Sequence, residues 1–447
     1  MRLEFTKRRT SGSSVEDRSP NRRSSRSLAQ WTALALLLVA ACNGGAGEET
    51  TTTGGAADAV EVGAWFNGET VPADEFASME AESGVIVNWD IRGDAVVNDM
   101  LRMRDAGERL PDLIEIDSHL TPAFIEAGLL QPMTEQIAAW AEEDPELYAT
   151  VPESVWTDGT YDGEIYHMPN KSLVDALFYN VTLLEEAGAP MPPYDSYSDL
   201  LDAARAVQAS NPDLPAYFAT GGASHDRMFR WLFAFGVPFD GNVPDLTSSQ
   251  GVEMIDFLQT MFEEGITDPE FMINQQDEGK GAFVRGELPF IEEGLNGGGG
   301  FMLDDFQYGE DWLTAPYPIH EENGGQYTGV PRGWSMTVDS ENPYEASLVL
   351  RYLSEPEIAA ERYFDLESGV VQSIPVLEGE QMTEVQPFFT EELLGIFRSL
   401  EAQIPPGTNT NSVGEVLIDL VEELTVTGTD EAPEEVAARY QAMLDEV

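Results

Sequence analysis

The sequence predicts an α/β fold of two bodies, each built on a doubly wound, mainly parallel sheet. Three observations lead there. Short apolar runs alternate with helical repeats from residue 60 onward, which is the pattern of a parallel sheet covered by helices. Residues 60–447 are too many for one hydrophobic core. Cys42 is the only cysteine, so no internal disulfide braces the fold and the core must hold it.

The first element is not part of that fold. Arg2, Lys7, Arg8, Arg9, Arg18, Arg22, Arg23 and Arg26 precede an apolar run, Trp31 to Ala41, which stops at Cys42. Such a run rises only about 16 Å as a helix, against about 30 Å for a bilayer's hydrocarbon core. Residues 1–41 therefore read as a secretory signal rather than a membrane span. Val39-Ala40-Ala41-Cys42 resembles a bacterial lipobox, which implies that Cys42 is lipidated and becomes the mature N-terminus. A plain signal peptide with an incidental cysteine is the alternative. Residues 42–59 contain no large apolar side chain, so they cannot offset the entropy of ordering and read as a flexible tether.

Charge excludes several partners. The whole chain has 23 basic and 81 acidic residues, a net charge of −58. Without residues 1–41, 15 basic groups face 78 acidic ones, and Lys171 and Lys280 are the only lysines. A surface near −63 repels nucleic acid and anionic lipid headgroups. Counterions must screen its self-repulsion, so a saline habitat is expected. The melting temperature should then rise with NaCl; the same melt from low to molar salt would refute it.

The fold elements follow in order. Val60–Phe66 is a short strand, and Thr70–Ser83 has helical spacing that Gly84 stops. Val85–Trp89 is a second strand, Ala95–Ala106 a helix, Pro111–Asp117 a third strand, and Leu120–Ala127 a helix ended by Gly128. In a sheet of this kind ligands sit beyond the carboxyl ends of the strands, which places Asn67, Glu69, Asp117, Ser118 and His119 where a ligand would be. Farther on, Ser172–Tyr179 and Val330–Val338 read as strands. Helices are expected over 195–210, 224–235, 249–264, 344–353, 413–425 and 432–447.

The order of motifs resembles a known family. Trp65-Phe-Asn-Gly-Glu-Thr70, Leu110-Pro-Asp-Leu-Ile-Glu-Ile-Asp-Ser-His119, Phe124 to Leu130, Tyr161 to Pro169, Ala176-Leu-Phe-Tyr-Asn180 and Gly329 to Met336 follow one another as in the extracellular solute-binding proteins of ABC importers. The branch is the sugar-binding one that includes maltodextrin-binding protein, and the likeness spans nearly all of residues 60–447. The resemblance implies a two-lobed, hinged fold of the periplasmic-binding type. Lobe 1 would comprise 60–171 plus 316–354, and lobe 2 would comprise 172–315 plus 355–447. It implies a monomeric, lipid-anchored extracellular protein that binds a small-molecule ligand, expected to be a sugar, and hands it to the transmembrane subunits of a permease. No cofactor, metal or catalytic residue is implied.

Sugars are recognised by aromatic faces and by charge-assisted hydrogen bonds. Asn67 and Glu69 match cleft positions of the family, and Trp65 either stacks on the ligand or caps the strand core. Asp117, Ser118 and His119 follow the third strand, with a contact pattern altered from the family's. Asp226 and Trp231 match the family's cleft helix. Trp231 is the leading stacking candidate, with core packing beside Phe229, Phe233 and Phe235 as its other role. Gly294-Leu295-Asn296 stands where relatives have Gly-x-Trp, so Asn296 offers polar contact in place of a stacking ring, which weakens the case for long maltodextrins. Trp334, after Gly333, is a further candidate. Two rivals stand beside the sugar reading. Acids such as Glu69, Asp117, Asp175 and Asp226 could cage a polyamine or quaternary amine with aromatic help. A secreted glycan-active enzyme would need a carboxylate pair that nothing in the sequence selects.

Overall fold

The computed structural model describes residues 60–447 except 68–70, 72–73, 93–95, 220–221, 223, 242, 275–276, 302, 304, 363–369, 372, 379–386, 399–401 and 404–411. The leader, Cys42, the tether and Glu69 lie outside the described residues.

In the first lobe, β1 (Val60–Phe66), β2 (Val85–Ile91) and β3 (Leu113–Asp117) run parallel in the order β2-β1-β3. They are linked by α1 (Ala77–Ser83) and α2 (Val96–Ala106), and α3 (Thr121–Glu126) follows β3. Helix α1 begins later than the expected Thr70, because Pro72 biases Val71 away from the helical region. Alternate residues of β1 face opposite cores. Val62, Ala64 and Phe66 pack with Met79, Trp140 and Trp334, whereas Trp65 packs with Met100, Ile114, Ile116 and Phe124. Burial on both faces is why β1 and β3 read as nearly continuous apolar runs, whereas the edge strand β2 alternates buried and exposed residues.

Helices α4 (Thr134–Glu143), α5 (Pro145–Tyr148) and α6 (Glu153–Asp158) and the hairpin β4 (Thr160–Tyr161) and β5 (Glu164–Ile165) lead into β6 (Met168–Asn180). This long strand enters the second lobe, which holds α7 (Val181–Ala187), α8 (Tyr197–Ser210), β7 (Tyr217–Ala219) and α9 (His225–Phe235). The hairpin β8 (Phe239–Asp240) and β9 (Val243–Pro244) comes next, then α10 (Ser249–Glu263), α11 (Pro269–Asn274), α12 (Asp277–Val284), β10 (Phe290–Gly294) and β11 (Trp312–Ala315). Local chemistry fixes the helix starts. Asn180, Ser196, Ser224 and Ser248 each cap a helix by accepting the N–H three residues on.

The chain then returns through β12 (Thr328–Met336), α13 (Pro343–Leu353), α14 (Pro356–Ala360), β13 (Val370–Val371) and α15 (Ile374–Leu377). It ends with helices over Glu391–Arg398, Ser412–Glu422 and Pro433–Leu444, and a short strand β14 (Ala402–Gln403) beside β12. Contacts cross the expected lobe bounds in both directions: Arg362, expected with the second lobe, lies 4.4 Å over the Phe66 ring of the first, and the Ile374 N–H donates to the Thr150 carbonyl. Residues 316–327, expected with the first lobe, keep contact with the second. The His320 N–H donates to the Ala234 carbonyl, the Gln326 N–H donates to the Phe233 carbonyl, and the His320 ring stacks on Phe235 at 4.5 Å. The crossing lies within β12, whose first residues pair with Val174 and whose later ones pair with β3.

Candidate ligand-binding site

Register decides where a ligand can sit. Strand β12 is antiparallel to both β3 and β6, so the first half of β6 runs in the same direction as β1, β2 and β3. Their carboxyl ends therefore approach Ser172 from the first lobe. In the second lobe β10 and β11 are antiparallel to β6, and β7 is parallel to β10. Gly294, the last residue of β10, pairs with Asp175. The carboxyl ends of both lobes thus converge on residues 172–175 of β6, the crevice that open α/β sheets use for ligands.

On the first-lobe side, Asp117, Arg332 and Lys171 lie in one row across three strands. Arg332 grips Asp117 with two bonds, of 2.6 and 3.2 Å. Behind them Glu115 is buried. It accepts the Asn67 N–H at 3.0 Å and lies 3.4 Å from the Lys171 ammonium and 3.4 Å from the Asn170 amide nitrogen. Burial pushes the Glu115 carboxyl up, but Lys171, Arg362, Arg332 and the Asn67 N–H outweigh it and hold it below the usual range. Gly333 is required here, since a Cβ would meet the Met168 carbonyl oxygen at 2.1 Å where β12 bulges beside β6.

The second-lobe side is also ionic. Arg227 bridges Asp175 at 2.6 Å and Glu292 at 2.9 Å, and Arg230 also pairs with Asp175. Lys280 meets Glu293 at 3.0 Å. Burial raises the Glu292 carboxyl above its ordinary value, against the pull of Arg227.

The structure places the expected site residues unequally. Asn67 and Asp117 stand together at the first-lobe strand ends. Ser118 and His119 open a short turn and are buried, the Ser118 carbonyl accepting the Tyr161 hydroxyl at 3.2 Å. Trp65 points to the opposite sheet face, 8% exposed, with the Arg92 guanidinium 4.5 Å over its ring. Trp334 is 1% exposed and meets Phe66 edge-on at 4.6 Å inside the first-lobe core. Trp231 is 0% exposed in the second-lobe core, the other role its sequence context allowed. Asp226 lies on α9 and Asn296 on the short helix Leu295–Phe301, but their side chains are outside the description.

Residues 52–360 match the family described as bacterial extracellular solute-binding protein. The chain belongs to that family. Solved structures share its fold. The maltose-bound MalE3 of T. maritima superposes with a TM-score of 0.72 at 17% identity, covering 87% of this chain and 100% of its own. A Thermotoga lettingae solute-binding protein with α-D-tagatose gives 0.69 at 17%, over 86% and 100% of the two chains. One from Agrobacterium radiobacter K84 with ribitol gives 0.66 at 15%, over 87% and 98%. These likenesses give this solute-binding protein a two-domain fold like that of MalE.

What the sequence reading passed over are the basic partners Lys171, Arg227, Arg230, Lys280 and Arg332. A signal was present. In a solute-binding protein with only 15 basic residues after the leader, each one is dear, and both lysines pair with strand carboxylates, Lys171 of β6 with Glu115 and Lys280 of α12 with Glu293.

Proposed function

We propose that this solute-binding protein captures a neutral sugar or sugar-like solute between its lobes and presents it to the transmembrane subunits of an ABC importer, with no bond made or broken. One observation carries the reading. The ends of both lobes' strands meet at one crossing of β6, and the charged groups there are matched acid to base. A solute touching both lobes binds better when they close, so it shifts the population toward the closed form that a permease can recognise. Solved relatives are named for maltose, tagatose and ribitol, all neutral polyhydroxy compounds. Pairing of Asp117 with Arg332, and of Asp175 with Arg227 and Arg230, counts against the amine reading, because those acids are already neutralised. The leader and Cys42 support tethering to the outer face of the membrane.

Two experiments test this. A neutral sugar at about 100 times its Kd should add roughly 2.7 kcal/mol to the stability of the mature domain. Arg332→Gln should then weaken that sugar about 10- to 100-fold, the range expected for losing a charged hydrogen bond worth about 1.5–3 kcal/mol. Unchanged affinity in Arg332→Gln would remove the β3–β12 end from the site. For the anchor, Cys42→Ala should release the protein from the membrane fraction; continued retention would refute lipidation at Cys42.

A further inference from the structure

We infer that the solute is short and uncharged (a monosaccharide, a disaccharide or a sugar alcohol), held through its hydroxyls by acid–base pairs with no indole ring stacked against it. This rests on the sugar-capture reading above and narrows it.

The first observation is the state of the indole rings. Long glucans present one apolar CH face after another, and bare aromatic faces are what such ligands need. Among the described residues no tryptophan offers one at the strand ends. Trp140, Trp231, Trp312 and Trp334 are buried. Trp65 is buried under Arg92. Trp89 lies on the edge strand β2 against the first-lobe core. Trp156 lies flat on Tyr148, with centroids 5.2 Å apart and an interplanar angle of 2°.

The second observation is what the strand ends do offer. Asp117–Arg332 stands on the first lobe, and Asp175–Arg230 stands on the second. In each, a carboxylate that accepts lies beside a cation that donates. A vicinal diol fits such a pair, one hydroxyl donating to the acid while its neighbour accepts from the base, and charge-assisted bonds are the strong ones. The charges cancel within each pair, so a charged solute gains no net attraction. Lys171 and Asp175 are four residues apart on β6, about 13 Å along an extended strand. The glycine run after β10 is drawn in tightly: a Cβ at Gly297 would meet Glu293 Oε1 at 2.5 Å, and one at Gly298 the Phe388 ring at 2.7 Å.

Titration calorimetry on the mature protein tests this with glucose, arabinose, trehalose, ribitol, maltotriose, maltohexaose and glucuronate as probes. At least one of the neutral short probes should bind, with maltohexaose at least 100-fold weaker. Arg332→Gln should weaken that probe 10-fold or more, while Trp65→Phe changes it less than 3-fold. Affinity that grows from disaccharide to hexasaccharide overturns the inference and leaves sugar capture standing. So does glucuronate binding more tightly than every neutral probe. No binding by any probe overturns both readings.

Discussion

Trp231→Ala is expected to lower the stability of the unliganded protein by about 3–5 kcal/mol, the range for emptying a tryptophan's place in a packed core. Trp231 has no exposed surface and belongs to the second-lobe core with Met228, Phe229 and Leu232. The surroundings include Arg227, whose guanidinium lies 5.9 Å from the indole centroid and cannot relax into an apolar void. For a lobe of about 200 residues the loss corresponds to roughly 6–20 °C in melting temperature. Urea unfolding of the apo protein measures it. A melt within 2 °C of the parent, together with loss of the sugar-induced shift, would return Trp231 to the ligand face.

The burial of Trp231 has a geometric reason. Asp226 and Trp231 are five residues apart, which on a helix of 3.6 residues per turn is about 140° of rotation. They do not share a face. Trp231 lies four residues after Arg227, on the side that α9 buries, and Arg230 lies four after Asp226. A period of 3.6 locates the helix, but which of its faces meets the sheet is set by partners far away in the sequence.

The first lobe was legible because β1 and β3 are largely apolar and α1, α2 and α3 are followed by Gly84, Gly107 and Gly128. Strand, helix and carboxyl end could each be located from local pattern, which is why Asn67 and Asp117 fall at the crevice. The ionic pairs were not legible. Lys171 meets Glu115 across 56 residues of sequence and Arg332 meets Asp117 across 215, so no local spacing reports them. Only the topology does, by setting β12 between β3 and β6. Net charge, read as a total, hid how the few cations are placed.

That placement leads to the other large effect. Arg227→Met should cost about 3–5 kcal/mol, because it removes the shared partner of two carboxylates, Asp175 and Glu292, each buried to 1% side-chain exposure. Asp175 keeps Arg230, but Glu292 loses its ion-pair partner and is left beside Tyr197, Tyr217 and the like charge of Asp175. The pH dependence has a definite sign. A carboxyl whose folded-state pKa is raised contributes no penalty below its unfolded value, and the folded state loses ground as pH rises through the window above it. Glu292 is already raised in the parent, and losing Arg227 raises it further. The variant's deficit should therefore be widest near pH 7 and narrow toward about pH 4.5. Adding Glu292→Gln to Arg227→Met should recover part of the loss, since it removes the stranded charge while Asp175 keeps Arg230. Urea titrations of the three proteins at both pH values decide it. A deficit below 1 kcal/mol, or one that does not change with pH, would mean that the second-lobe carboxylates find their stabilisation elsewhere than in Arg227.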